Sequence, residues 1–443
     1  MIKKILSLLA LAIVLVTCLA ACDGPSNHVH QFCDWAVVKE ATETEEGLKE
    51  RTCACGEKEI DSIPMKCLKF TSNGDGTCYV SGIGGCTDTN IAIPSTSPDG
   101  DRVTKIGYMA FCNCTGLASI EIPGSVTSIG YAAFRGCTGF TSIVIPDSVT
   151  SIGNEAFRDC TGLTSIVIPD SVTSIGGSAF LDCTGLTSIN VDEDNTSYQS
   201  IDGNLYSKDG KTLIQYAVSK KNTSFTIPDS VTSIYNYTFY GCTGLKSIVI
   251  PDSVETIGKY AFASCYNLSE ITLGESLRAI GNWAFSRCTG LTSVVIGDSV
   301  TSIGYSAFGD CTSLTSIVIP DSVETIGEYA FSSCSNLSEI TLGESLRAIG
   351  DSTFSGCTSL TSIVIPDSVT SIGGFVFSSC TGLTSIVIPD SVTSIGYMAF
   401  YLCTGLKDVY YTGTKAEWAE ISIDSKNDYL TNATIHYNYV PAN

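Results

Sequence analysis

Residues Cys160 to Phe180 read CTGLTSIVIPDSVTSIGGSAF, and that stretch recurs down most of the chain. Its cysteine returns at 114, 137, 160 and 183. It then returns at 242, 265, 288, 311, 334, 357, 380 and 403, always 23 residues apart except across one gap. A fixed period in the twenties is the signature of a solenoid, in which each unit is one coil stacked on the next. The pattern within the unit is L-x-x-I-x-I. Leu163, Ile166 and Ile168 point inward, and Thr164, Ser165 and Val167 point outward from a short strand. Pro169 and Asp170 end that strand, because proline cannot donate to a ladder. Val172 and Ile175 turn inward on a second short segment. Gly176 permits a turn, and a helical turn is expected to carry Ala179 and Phe180 back to the core. One such unit buries too little apolar surface to offset the entropy of ordering it, so stacking must complete the fold.

The fold class expected is therefore a β-rich solenoid: a leucine-rich-repeat right-handed coil of 23-residue units with parallel β-sheets and short helical turns. The units resemble the BspA-like leucine-rich-repeat family of bacterial and protist surface proteins. The resemblance rests on IPDSVTSIG and the AF…C close, over about residues 68 to 440. It implies a curved solenoid, display at a cell surface, and adhesion to host or microbial macromolecules. It supplies no catalytic residues.

The first residues read as an address. Lys3 and Lys4 precede an apolar run from Ile5 to Leu19. Leu19-Ala20-Ala21-Cys22 then meets the polar segment Asp23 to Asn27. The run is short for a membrane-spanning helix, and small residues before a cut suit a signal peptidase. LAAC resembles a bacterial lipobox, which implies a signal peptide over 1–21, a lipid on Cys22, and a tether over 22–27. The expected product is exported and lipid-anchored at the bacterial cell surface, touching membrane through that lipid alone. Residues 28–67 form a small module with His28, His30, Cys33, Cys53, Cys55 and Cys67. A zinc knuckle is one reading of this set, but Cys53-Ala54-Cys55 lacks the spacer of a usual zinc pair, so disulfides or free thiols are preferred outside a cell.

The solenoid is expected over 68–407, with a hairpin insert at about 190–226. Lys208-Asp209-Gly210 supplies the hairpin turn. A capping element is expected over 408–443. Within it Thr414-Lys415-Ala416-Glu417 reads as a capping box, and Ile435 to Tyr439 alternates like a strand. Cys78 and Cys86 lie off the regular ladder and are placed to pair across a hairpin. A longer period also shows: residues 242–310 resemble 311–379, and the variant unit at 265–281 returns at 334–350. In that register Glu255 stacks on Arg278, and Glu324 on Arg347.

The formal charge of −21, from 45 acids against 24 bases, argues against nucleic acid as a partner. Three histidines limit acid–base chemistry near neutral pH. No G-x-S-x-G elbow, P-loop, dinucleotide fingerprint or H-E-x-x-H occurs, so a hydrolytic enzyme finds no support in the motifs. No cofactor is expected, calcium on an acidic edge excepted. That edge is the row Asp252, Glu275, Asp298, Asp321, Glu344, Asp367 and Asp390, one acid per rung. It either caps turns in solvent or holds calcium or a basic partner. The repeat cysteines read as buried small hydrophobes rather than redox groups. A candidate binding face consists of Ser165, Val167, Glu270, Ser316, Val318, Glu339, Ser362 and Val364, flanked by the stripe residues Ser142, Val144, Ser385 and Val387. It suits a host or microbial surface protein or glycan. An alternative is glycan capture by the turn aromatics Tyr131, Tyr260, Trp283, Tyr305, Tyr329 and Tyr397. Oligomeric state is not legible.

Overall fold

A computed structural model of the 443-residue chain describes residues 32–39, 47–63, 67–84 and 88–441. Cys22, His28, His30 and Cys86, together with the signal and tether segments, lie outside the described residues.

The chain packs as two compact units. The smaller spans residues 1–89 and 96–103. It contains an antiparallel sheet of Ala36–Lys39, Gly47–Thr52 and Lys58–Ile63. Its central strand is tied by cross-strand ion pairs, Lys49 with Asp61 at 2.9 Å and Arg51 with Glu59 at 2.6 Å. A hairpin of Leu68–Ser72 and Thr77–Ile83 follows. The expected bridge from Cys78 does not form, because the buried Cys78 thiol donates to the Asp101 carbonyl at 3.5 Å. Cys67 is the half-cystine instead.

The larger unit is the solenoid. Each regular rung has three sides, which we name strand face, return face and turn face. On the strand face, Ser142–Ile143, Ser165–Ile168 and Ser188–Val191 pair in parallel and in register. On the return face, Ser128–Ile129, Ser151–Ile152 and Ser174–Ile175 do the same. The core between them is continuous, and Leu163, Ile166, Ile168 and Val172 are fully buried. A file of phenylalanines runs along it, with Phe239, Phe262, Phe285 and Phe308 stacked at 4.9, 5.0 and 5.2 Å.

The turn face is not helical. Each rung there carries left-handed residues four apart, such as Tyr260 (φ 56°) and Ser264 (φ 60°). A helical turn would aim its N–H groups back along its own segment. The left-handed residues aim them along the solenoid axis instead. Tyr260, Phe262 and Ser264 donate to the carbonyls of Asn282, Ala284 and Ser286 on the next rung, at 3.0, 2.8 and 2.8 Å. The third side is thus a ladder like the other two.

The 69-residue period is visible as interruptions. The strand-face sheet stops after Glu270–Thr272 and again after Glu339–Thr341, both in the variant unit. There Gly274 and Gly343 replace the usual proline. A Cβ at Gly274 would meet the Pro251 carbonyl oxygen at 2.1 Å, and one at Gly343 the Pro320 oxygen at 2.4 Å. The variant rung is drawn against the rung before it. The rung after it stands off, and the nearest atom to a Cβ at Gly297 is 3.9 Å away. The return-face sheet breaks after Ser174–Ile175, at the insert, and again between Thr325–Ile326 and Ala348–Ile349. Arg278 reaches Glu255 at 4.0 Å, whereas Arg347 and Glu324, which flank the second break, form no ion pair.

Past the last regular rung, Asp408–Tyr411 and Thr434–His436 extend the strand face. The helix Lys415–Glu420 begins at a full capping box between Thr414 and Glu417. The strand expected over Ile435 to Tyr439 is Thr434–His436. These elements close the end of the core with Leu430 and Tyr411.

The glycine geometry gives a prediction. Gly274→Ala forces a backbone shift and costs about 1–3 kcal/mol. Gly297→Ala, with open space and an ordinary φ, leaves stability unchanged or raises it by about 0.4–1 kcal/mol. Urea unfolding followed by circular dichroism checks both, and equal losses at the two positions would contradict this account of the close approach.

Candidate binding surfaces

The strand face is built by simple alternation. Ile166, Ile317 and Ile363 point into the core, so their neighbours on either side point out. Two parallel rows result. Ser165, Ser316 and Ser362 lie in one, with Glu270 and Glu339 in register among them. Val167, Val318 and Val364 lie in the other, at 55%, 62% and 53% exposed. The structure adds Val295, at 80% exposed, and Val249 to the valine row. Both sit at the same register as Val318 and were readable by counting 23. Val387 departs from the row: it is buried, with Tyr410 as its register partner on the next rung. Tyr410 stacks on His436 at 4.8 Å and on Tyr439 at 4.7 Å, and His436 Nε2 lies 2.8 Å from Asp408. This aromatic end of the face escapes sequence reading, because the rung from Asp408 to His436 is longer than 23 residues.

The acidic row is real as a row: Asp252, Glu275, Asp298, Asp321, Glu344, Asp367 and Asp390 are all exposed. Its best-defined work is structural. Asp252 accepts the Glu275 N–H at 3.0 Å, and Asp321 accepts the Glu344 N–H at 2.9 Å. Each is a carboxylate of one rung capping the turn of the next, at the step where the variant rung comes close. Among the described residues no group of three or more His, Cys, Asp or Glu side chains converges as metal ligands would.

The turn aromatics spend their faces on each other. Tyr237 stacks on Tyr260 at 5.0 Å, and Tyr260 on Trp283 at 4.8 Å with the planes 8° apart. Trp283 meets Tyr305 at 4.7 Å, and Tyr305 meets Tyr329 at 5.3 Å. Lys259 lies over the Trp283 ring at 4.6 Å. A sugar stacks on an open ring face, and Tyr260, with Tyr237 against one face and Trp283 against the other, offers none. Tyr131 likewise stacks on Tyr108 at 5.3 Å. Tyr397 meets Phe375 edge-on. A four-residue ion-pair network, Arg135 and Arg158 with Glu155 and Asp159, also lies on the turn face. It belongs to positions the repeat leaves variable, so the period does not announce it.

The cysteines form a ladder of thiols. Cys160 donates to the Phe134 carbonyl of the preceding rung at 3.1 Å, and Cys288 to Phe262 at 3.1 Å. The same bond recurs up to Cys403 and Phe377 at 3.0 Å. Each such carbonyl also accepts the N–H of its own rung's cysteine, as Phe134 does from Cys137 at 3.1 Å. Burial pushes the thiols of Cys160, Cys334 and Cys403 up, to about 12.

The insert is woven into the coil. Asn204–Ser207 and Thr212–Gln215 pair antiparallel through the Lys208-Asp209-Gly210 turn, and Thr212–Gln215 then pairs in parallel with Ser233–Ile234. Tyr216 takes the phenylalanine slot, stacked on Phe239 at 5.0 Å. Asn195, fully buried, bridges the carbonyls of Pro169 and Val172 to the N–H groups of Ser197 and Tyr198. Ile175, expected inward, is only half-buried, because the insert does not cover it as a regular rung would.

The thiol ladder yields a prediction with a sign. The folded pKa values of Cys160, Cys334 and Cys403 lie above the ordinary 9.0, so their contribution to stability is present below pH 9. That contribution is lost as pH rises from 9 toward 12. The melting temperature therefore falls above pH 9. A maleimide at pH 7.5 leaves Cys137 to Cys403 unlabelled until denaturant is added. Labelling of these cysteines in the native protein, read by mass spectrometry, would contradict the buried ladder.

Comparison with known proteins agrees with this geometry. The chain matches the BspA type leucine-rich repeat region, in six copies, over residues 85–209, 214–337 and 301–425. A leucine-rich cell-surface protein from Faecalibacterium prausnitzii is 34% identical with a TM-score of 0.57, over 82% of this chain and 98% of that one. A leucine-rich-repeat protein from Bacteroides ovatus is 30% identical with a TM-score of 0.50, over 85% and 99%. One from Eubacterium ventriosum is 25% identical with a TM-score of 0.57, over 76% and 93%. No curated protein matches the chain. With its period, its parallel ladders and these matches, the chain belongs to the BspA-type leucine-rich-repeat family of bacterial proteins.

Proposed function

We propose that this chain is an exported, lipid-anchored surface protein that holds a macromolecular partner against its strand face and catalyses nothing. The observation that carries the reading is the valine row. Val295, Val318 and Val364 stand exposed on strands whose inward neighbours are buried. Rungs repeat about every 4.8 Å, so one partner surface can meet several valines and serines at once. Burying one exposed valine is worth about 1–2 kcal/mol, and several acting together reach useful affinity. A face of recurring valines and serines suits a protein of a host or microbial surface. The closed faces of the turn aromatics weigh against glycan capture by Tyr260 and Trp283. The relative from Faecalibacterium prausnitzii is described as a cell-surface protein, which fits display outside the cell. Leu19-Ala20-Ala21-Cys22 supports anchoring through Cys22.

Beads coated with residues 22–443 are expected to attach to at least one of a panel of immobilised host-matrix and bacterial surface proteins. The triple variant V295E, V318E, V364E is expected to attach at least tenfold less while keeping its melting temperature. Equal attachment by the triple variant would remove the strand face from the proposal. In the producing cell, Cys22→Ser is expected to move the protein into the medium and abolish incorporation of labelled fatty acid.

A further inference from the structure

The insert leaves one place where the rung-to-rung ladder is not completed. On regular rungs the turn-face N–H groups donate forward, as Glu155 and Phe157 do to Gly177 and Ala179 at 3.0 and 2.9 Å. Ser178 and Phe180 occupy the same positions one rung later. Among the described residues their N–H groups have no acceptor, because the segment after Asn195 turns into the hairpin instead of laying down a turn face. Both residues line a half-open cavity of about 240 Å³, together with Tyr198, Ser207, Ile214 and Gln215. Backbone N–H groups that open onto a cavity are satisfied by water or by something that displaces it.

The lining specifies what that something is. No lining side chain carries a charge, so the occupant is neutral. Ser178 and Phe180 offer two backbone donors. The Tyr198 hydroxyl accepts the Ile175 N–H at 2.9 Å, which leaves its own proton to donate. Gln215 spends its amide N–H groups on the carbonyls of Tyr216 and Thr238, which leaves its oxygen to accept. Half-buried Ile175 and Ile214 supply apolar wall. At the mouth stands Tyr235, 45% exposed. Unlike the turn aromatics, its ring stacks on no other ring among the described residues. The cavity is below the roughly 300–1,000 Å³ of sites for drug-sized molecules, so it admits one ring rather than a chain.

We infer that the insert pocket is a binding site for a single pyranose residue, free or at the end of a glycan, with its apolar face on Tyr235 and its hydroxyls on Ser178 N–H, Phe180 N–H, Tyr198 and Gln215. The sugar completes the ladder that the insert breaks. This site is separate from the strand face and stands whether or not that face binds protein.

Saturation-transfer NMR on residues 22–443, with the methyl glycosides of glucose, galactose, mannose, fucose and N-acetylglucosamine at millimolar concentration, tests it. At least one glycoside is expected to receive saturation. Its affinity is expected to fall tenfold or more in Tyr235→Ala, which removes the platform, and in Ile214→Trp, which fills the cavity. Tyr260→Ala, in the self-stacked file, is expected to bind as the parent does. Melting temperatures show that each variant is folded. Two results would overturn the site: no saturation of any of the five sugars, or binding that survives both Tyr235→Ala and Ile214→Trp in folded protein.

Discussion

Every rung of this solenoid sends backbone N–H and C=O groups along the axis, and they must meet the next rung at a fixed register. Nothing else in the structure is as demanding. A core of leucine and isoleucine tolerates small shifts, but an unpaired backbone group at a buried edge costs about 1–3 kcal/mol. The 23-residue step is the chain length that returns each group to its partner. The turn face shows how far the constraint reaches. Non-glycine residues such as Tyr260, Trp283 and Tyr329 accept left-handed backbone there, because that backbone alone sends three N–H groups forward. The cysteine ladder belongs to the same account. Its S–H bonds give each phenylalanine carbonyl a second donor from the following rung. A small apolar residue without a donor would fill that space and leave the second lone pair unused.

The period, the inward pattern and the cap were legible because they are consequences of that register. Leu163, Ile166 and Ile168 had to face inward once the unit was known to repeat, and Thr414 with Glu417 carries its own geometry within four residues. The turn face was not legible in its detail. Apolar spacing around Ala179 and Phe180 is the same for a helical turn and for a left-handed ladder, and only the direction of the N–H groups distinguishes them. The stacking of the turn aromatics was not legible for a related reason. Their spacing shows that the rings recur on neighbouring rungs, but it cannot show whether their faces meet solvent or one another. Tyr260 and Trp283 lie 8° from parallel, and so they serve as a surface staple.

The variant unit shows how the chain departs from strict repetition without losing the fold. Replacing proline by Gly274 and Gly343 lets two rungs approach closely, and Asp252 and Asp321 cap the approach. The ladder on the strand face opens at the next step in compensation. Part of the acidic row, which reads as a string of like charges, is therefore also a set of turn caps. Like charges one rung apart repel by about 1 kcal/mol or less in water, which exposed carboxylates tolerate by splaying into solvent.

A surface for binding needs groups that the fold itself does not use, and a solenoid leaves few. Its axial hydrogen bonds are spoken for, its inward residues are buried, and its turn aromatics are paired. Two kinds of group remain. One is the outward row of the strand face, free because alternation forces it outward, and repeated so that small contacts add across rungs. The other is the edge left where the register is broken, at Ser178 and Phe180 beside the insert. The first offers area with little direction, which suits a protein surface. The second offers fixed donors, an acceptor and one unstacked ring in a small neutral space, which suits a sugar. The same register that builds the coil thus determines where it can bind and what chemistry each place can hold.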